Sequence, residues 1–227
     1  MSLSEWKHLE FAQSIAFANW LAWEADYTHR NKGGTFETLP VLTEHKRFRT
    51  FLTEYSLARN IPGGGKDEEK EDFIKKRQKL VMCHFRKEAP THRRATDVDE
   101  YACRLASECN KGGHGLPPLP QKGSQKVAIS RSLVSKVFAF WNPAAYPPFD
   151  RFAKQGLNTP ANYKSFNEAF HTKFDVFAVI YNLPEYHKKR ISLADQQGFK
   201  ARVLDVLLMI KGGRWKHHLN PKPGTNK

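Results

Sequence analysis

The chain lacks any run of about 18 apolar residues, the length a helix needs to cross a bilayer core, so no membrane-spanning segment and no membrane partner are expected. Its first residues also lack a basic stretch leading into an uninterrupted apolar segment, and a cytoplasmic location is the expectation. Cysteine is scarce. Cys83, Cys103 and Cys109 are odd in number and irregular in spacing, which argues against a disulfide framework. Together with His84 and His114 they form neither a Cys-x-x-Cys nor a His-x-x-x-His pair, so we expect inert thiols, no metal and no cofactor.

Strand-like alternation is also missing, as is any repeat of fixed period. The glycine-rich turn Asn60-Ile-Pro-Gly-Gly-Gly65 precedes Lys66, yet no strand pattern leads into it and no Gly-Lys-Ser/Thr follows, which excludes a phosphate-binding loop of the nucleotide-hydrolase kind. His84, His171, His217 and His218 imply no catalytic triad, because no serine or cysteine carries a nucleophile motif.

Acidic residues are too few to balance the basic ones: 37 Lys and Arg stand against 23 Asp and Glu, a formal charge of +14 over 227 residues. Such an excess favours a polyanion through phosphate contacts and counterion release. Nucleic acid, DNA or RNA, is the leading partner class on this basis, with an acidic protein as a weaker alternative. Oligomeric state leaves no signature in the sequence. Hydrophobic residues at 40% and aromatics at 12% are enough for one substantial core, read as a single domain of two lobes around a cleft.

Helical periodicity runs through most of the chain. Leu9, Ala12, Ile15, Ala16, Trp20 and Trp23 recur at spacings of three and four from Leu3 to about His29, ending at Lys32-Gly33-Gly34. Phe48, Phe51, Leu52 and Tyr55 mark a second helix over about Thr43 to Ala58. From Asp67 to Lys87 the charge order runs from acidic to basic, which complements a helix dipole, and its basic half reads as a solvated face. A further helix begins near Thr96 or Asp97 and continues to Cys109. Beyond it, Lys111-Gly-Gly-His-Gly115 and Pro117, Pro118 and Pro120 make the best internal boundary. On that reading one lobe comprises about 1–110 with the C-terminal helices, and the other about 116–210. Asn162 to Tyr181 and Leu193 to Ile210 are strongly periodic, and 216–227 is a basic tail. The expectation is an all-α fold of roughly eight to ten helices.

The chemistry concentrates between Ser132 and Asp150. Leu133, Val137, Phe140 and Trp141 share one helical face, placing Lys136 at the edge of that stripe, within two turns of an N-cap at Ser130 or Ser132. There the positive end of the helix and partial desolvation both disfavour the ammonium form, and the amine gains nucleophilicity. The commoner fate of a helix-edge lysine is to lie along the helix with its head in water. Pro143, Pro147 and Pro148 then hold the chain extended into Asp150, which is well placed to cap a short helix Arg151 to Leu157. Capping alone would account for that aspartate.

A helix with an early lysine, an apolar turn, Pro-x-Asp and a second helix resembles the active-site segment of the helix-hairpin-helix DNA glycosylase superfamily, including relatives of 8-oxoguanine DNA glycosylase. The match covers about Ser130 to Leu157. It implies a two-lobed all-α fold with a central cleft and an enzyme of base excision, a DNA N-glycosylase with or without lyase activity. In that family the lysine attacks the sugar C1′ of a flipped nucleotide and the aspartate assists displacement of the base. Lys136 and Asp150 are the matching positions. Where the family carries Leu-Pro-Gly-x-Gly, this chain has Lys126-Val-Ala-Ile-Ser-Arg-Ser132. Backbone contacts would then fall to Lys122, Lys126, Arg131, Ser132 and Arg151. For a base pocket and wedge the candidates are Trp141, Tyr146, Phe149, Phe152, Trp20 and Trp23, each of which also suits a core. The competing reading is a nucleic-acid-binding module on the same scaffold without its chemistry, serving repair or anti-phage defence.

Overall fold

The computed structural model describes residues 3–24, 39–55, 57, 71–87, 96–111, 131–159 and 162–215. Every regular element among them is helical and none is a strand, so the fold is all-α. The elements are α1 (Leu3–Asn19), a π-helical turn (Trp20–Glu24), α2 (Pro40–Thr43), α3 (His45–Glu54), α4 (Glu71–Lys87), α5 (Thr96–Lys111), α6 (Arg131–Trp141), α7 (Arg151–Leu157), α8 (Tyr163–Ile180), α9 (Glu185–Lys188) and α10 (Gln196–Lys211). Two compact units divide the chain: Met1–Trp23 with Pro147–Lys227, and Glu24–Tyr146. The segments His29 to Gly34 and Asn60 to Gly65, the connection that follows Lys111 as far as Pro120, and the basic tail lie outside the described residues.

In the first unit, α10 is the central helix. Phe199, Val203, Leu204, Val206, Leu208, Met209 and Ile210 are all buried, which is more than one face, because α1, α7 and α8 pack around it. Two glycines set how closely α7 approaches. A Cβ on Gly156 would overlap the Leu208 carbonyl, and one on Gly212 would overlap the Phe152 carbonyl, so both positions require hydrogen in place of a side chain. Phe199 is fully buried with its ring edge-on to Phe17 and Trp20, an arrangement aromatic quadrupoles favour. Asp205 on the same helix is buried and ion-paired with Arg202 one turn earlier, which offsets the desolvation of both.

Periodicity placed α8 correctly: Tyr163, Phe166, Phe170, Phe174 and Phe177 are its buried stripe, and the Asn162 side chain accepts a 2.8 Å hydrogen bond from the Ser165 amide as its N-cap. The stretch read as a helix from Leu193 begins instead at Gln196. Ser192 donates its hydroxyl to the Asp195 carboxylate at 2.6 Å, and the Asp195 amide bonds the Ser192 carbonyl, so a turn occupies the first three positions.

In the second unit, α6 is buried from Leu133 through Phe140. Phe138 packs edge-on against Tyr101 of α5, and Phe140 against Phe51 of α3. Each such ring contributes about 1.5–3 kcal/mol by leaving water. The helix expected over Thr43 to Ala58 is interrupted at Glu44, whose backbone is extended (φ −131°, ψ 137°); α2 precedes the break and α3 follows it. Phe48, Phe51 and Leu52 are buried as the stripe required.

Candidate functional site

Lys136 belongs to the second unit. The stripe put it at an edge, but the side it faces is covered as well, and the residue is only 6% exposed. Its ammonium donates a 3.2 Å hydrogen bond to the Ser132 hydroxyl one turn back. It also lies 5.2 Å from the centre of the Tyr55 ring, within cation–π range. Tyr55 in turn donates its phenol to the Glu24 carboxylate at 2.9 Å, and Glu24 is itself only 2% exposed. Carboxylate, phenol ring, ammonium and hydroxyl thus follow one another in a polar chain with Glu24 and Lys136 buried and Tyr55 and Ser132 half-buried, all within Glu24–Tyr146. Glu24 escaped the sequence reading, and Tyr55 entered it only as a member of an apolar stripe, since a buried charge leaves no mark on apolar periodicity.

Asp150 belongs to the other unit and is half-buried. It is the N-cap of α7: its Oδ1 accepts a 2.8 Å hydrogen bond from the Phe152 amide, with the extended backbone a cap requires. The approach to it is fixed from both sides. Tyr163 donates its phenol to the Pro147 carbonyl at 3.0 Å, and Phe149 packs between Tyr163 and Phe166. At the far end, Asn158 takes the left-handed conformation (φ 54°, ψ 45°) that commonly ends a helix.

Among the other sequence-nominated residues, Lys122 and Lys126 lie outside the described residues. Arg131 is exposed and ion-paired with Asp99 of α5. Ser132 is half-buried as the acceptor from Lys136, and Arg151 is exposed with its guanidinium 4.6 Å from the Phe152 ring centre. The aromatic candidates divide by burial. Tyr146, whose ring packs on Phe138 and Trp141, Phe149 and Trp20 are core residues, whereas Trp141 itself and Phe152 are half-buried. Of Trp23 only the backbone is described.

The three thiols are free: Cys103 is exposed, Cys83 half-buried and Cys109 buried. Burial raises the Cys109 thiol to about 11, against the opposing pull of Arg77, so it stays protonated at neutral pH. No three His, Cys, Asp or Glu side chains gather as metal ligands among the described residues, where His84 instead bonds Glu108 at 2.7 Å. No described helix is long and apolar enough to cross a membrane. The chain matches no protein-family model, no curated protein and no solved structure.

Proposed function

We propose that the protein binds DNA and excises a damaged or modified base by cleaving its N-glycosidic bond, with Lys136 as the nucleophilic amine and Asp150 as the assisting carboxylate. The observation that carries this reading is the burial of Lys136. Lysine is almost never buried unless its head group is held by partners, and an amine desolvated against a hydroxyl and an aromatic face is suited, once deprotonated, to attack carbon. The formal charge of +14 supplies affinity for the phosphate backbone.

The chemistry balances with these groups. The Lys136 ammonium first gives up one proton to solvent; the freed Nζ lone pair forms a bond to C1′ as the C1′–N bond breaks, and the base departs with the electron pair of that bond and takes up a proton. A carboxylate stabilises positive charge on the sugar during this step. Opening of the C1′–O4′ bond and loss of the amine protons then leave an imine, which borohydride reduces to a stable secondary amine.

The second reading, a binding module without chemistry, draws support from the engagement of Asp150 as a cap. One experiment separates the two. Duplexes carrying a broad panel of base lesions and modifications are incubated with the protein and treated with borohydride. A covalent adduct formed by the wild type and lost in Lys136→Met supports excision by the amine. Base release without an adduct points to Asp150 activating water. Salt-sensitive binding with neither product across the whole panel selects the binding module.

A further inference from the structure

One charged surface has no place in that chemistry. On α4, Lys75, Lys79, Met82 and Arg86 follow one another at spacings of four, three and four, and so share one helical face. This face lines an open groove of about 350 Å³, completed by Lys76 and Cys83 on α4 and by His45 at the start of α3. Lys75, Lys76, Lys79 and Arg86 are exposed, while Met82 is buried and Cys83 half-buried, giving a sulfur-lined apolar floor beneath a cationic rim. Lys76 is paired with Asp72 at 2.8 Å. His45 also lines the groove, with its Nε2 buried.

We propose that this groove seats one strand of DNA through its phosphates, as a contact surface separate from the Lys136 and Asp150 chemistry. The first argument is length: from Lys75 to Arg86 the helix rises about 16 Å, far longer than one phosphate group and enough for several consecutive backbone phosphates. The second is the floor. An acidic peptide laid in the groove would press backbone amides against sulfur and carbon and leave them without partners, at a cost of about 1–3 kcal/mol each. A sugar–phosphate strand has no such donors. Its deoxyribose carbons suit the Met82 and Cys83 floor while its phosphates meet the rim.

The inference rests on the DNA-binding half of the proposed function and not on its bond-breaking half. It is tested with Lys79→Gln/Arg86→Gln, both exposed positions, against Lys188→Gln/Lys189→Gln as an equal charge loss at exposed positions of the other unit. Binding of a fluorescein-labelled duplex is followed by anisotropy across a salt series, with circular dichroism to confirm folding. The groove variant is expected to bind about ten-fold more weakly, with a log–log salt slope shallower by about 2, while the control retains wild-type affinity. Saturating duplex should also slow maleimide labelling of Cys83 but not of Cys103.

Unchanged affinity in the groove variant overturns the proposal, as does an equal loss in the control or unprotected Cys83. Tighter, groove-dependent binding of RNA, a mononucleotide or an acidic peptide than of DNA overturns it in favour of that ligand. Failure of the excision reading looks different: the groove variant loses affinity as expected, yet no base is released and no adduct forms with any duplex even at saturation.

Discussion

The Lys136 ammonium rests against the face of a phenol, Tyr55, that is itself tied by a 2.9 Å hydrogen bond to a buried carboxylate, Glu24. A phenol donating to a carboxylate carries extra electron density in its ring, which strengthens its attraction for a cation. Glu24 therefore acts on Lys136 through Tyr55, and the Ser132 hydroxyl holds the amine from the helix side. The arrangement fixes the head group of a residue that elsewhere would extend into water.

Two substitutions separate the hydroxyl of Tyr55 from its ring. Tyr55→Phe removes the bond to Glu24 and is expected to cost about 1 kcal/mol of stability. Tyr55→Leu also removes the ring contacts with Phe51 and Phe140 and is expected to cost about 2–4 kcal/mol. Urea denaturation of the two variants measures both losses. Equal costs would show that the ring contributes nothing beyond its hydroxyl.

Asp150 invites a similar separation, between capping and catalysis. Asparagine caps helices as well as aspartate does, whereas alanine does not. Asp150→Asn should therefore keep the wild-type unfolding midpoint, and Asp150→Ala should lose about 1 kcal/mol. If the carboxylate also assists base release, both variants fall in single-turnover excision by about 10²-fold or more. Activity that follows stability, retained in Asp150→Asn, would leave Asp150 a cap and nothing else.

Gly156 tests the packing that carries α7. Alanine there would force its Cβ into the Leu208 carbonyl, backbone against backbone, so neither side can move by a rotamer change alone. Gly156→Ala is expected to destabilise the protein by about 1–3 kcal/mol despite the higher helix propensity of alanine. Gly→Ala in an open helix does the reverse, and a raised midpoint in thermal unfolding would contradict the close approach.

Local signals were the legible ones. The apolar stripe of α3, the periodicity of α8, the cap at Asp150 and the short helix from Arg151 to Leu157 all arise within a few residues, where spacing and side-chain chemistry decide the outcome. Lys136 was singled out, but its burial was not. A helix covered on all sides has no polar face to contrast with its stripe, and α6 is buried from Leu133 to Phe140. Tyr55 and Glu24 are 31 residues apart, and His45 meets the α4 groove from another helix. Such pairings are products of tertiary packing, which periodicity within one segment does not encode. The basic half of α4 read as a solvated face because sequence shows charge but not the apolar floor between the charges.

His187 makes stability depend on pH in a definite direction. Its ring is buried, stacked on Phe17 with centroids 3.9 Å apart and edge-on to Phe199, and its Nδ1 is 3.2 Å from the Gln13 amide nitrogen. Desolvation lowers its pKa below the ordinary 6.5, because an imidazolium there would leave water for aromatic neighbours and could no longer accept from Gln13. The folded state therefore binds fewer protons than the unfolded chain between that lowered value and 6.5. Stability from this group is complete above 6.5 and is lost as the pH falls through the folded value. His187→Phe keeps a ring in the stack and removes the titration. Unfolding midpoints measured from about pH 7.5 down to about pH 5 should differ between wild type and variant by a constant above 6.5, with the wild type losing ground below it. Carboxylates common to both proteins cancel in that difference, so parallel curves throughout would mean that His187 accepts its proton in place, without cost to the fold.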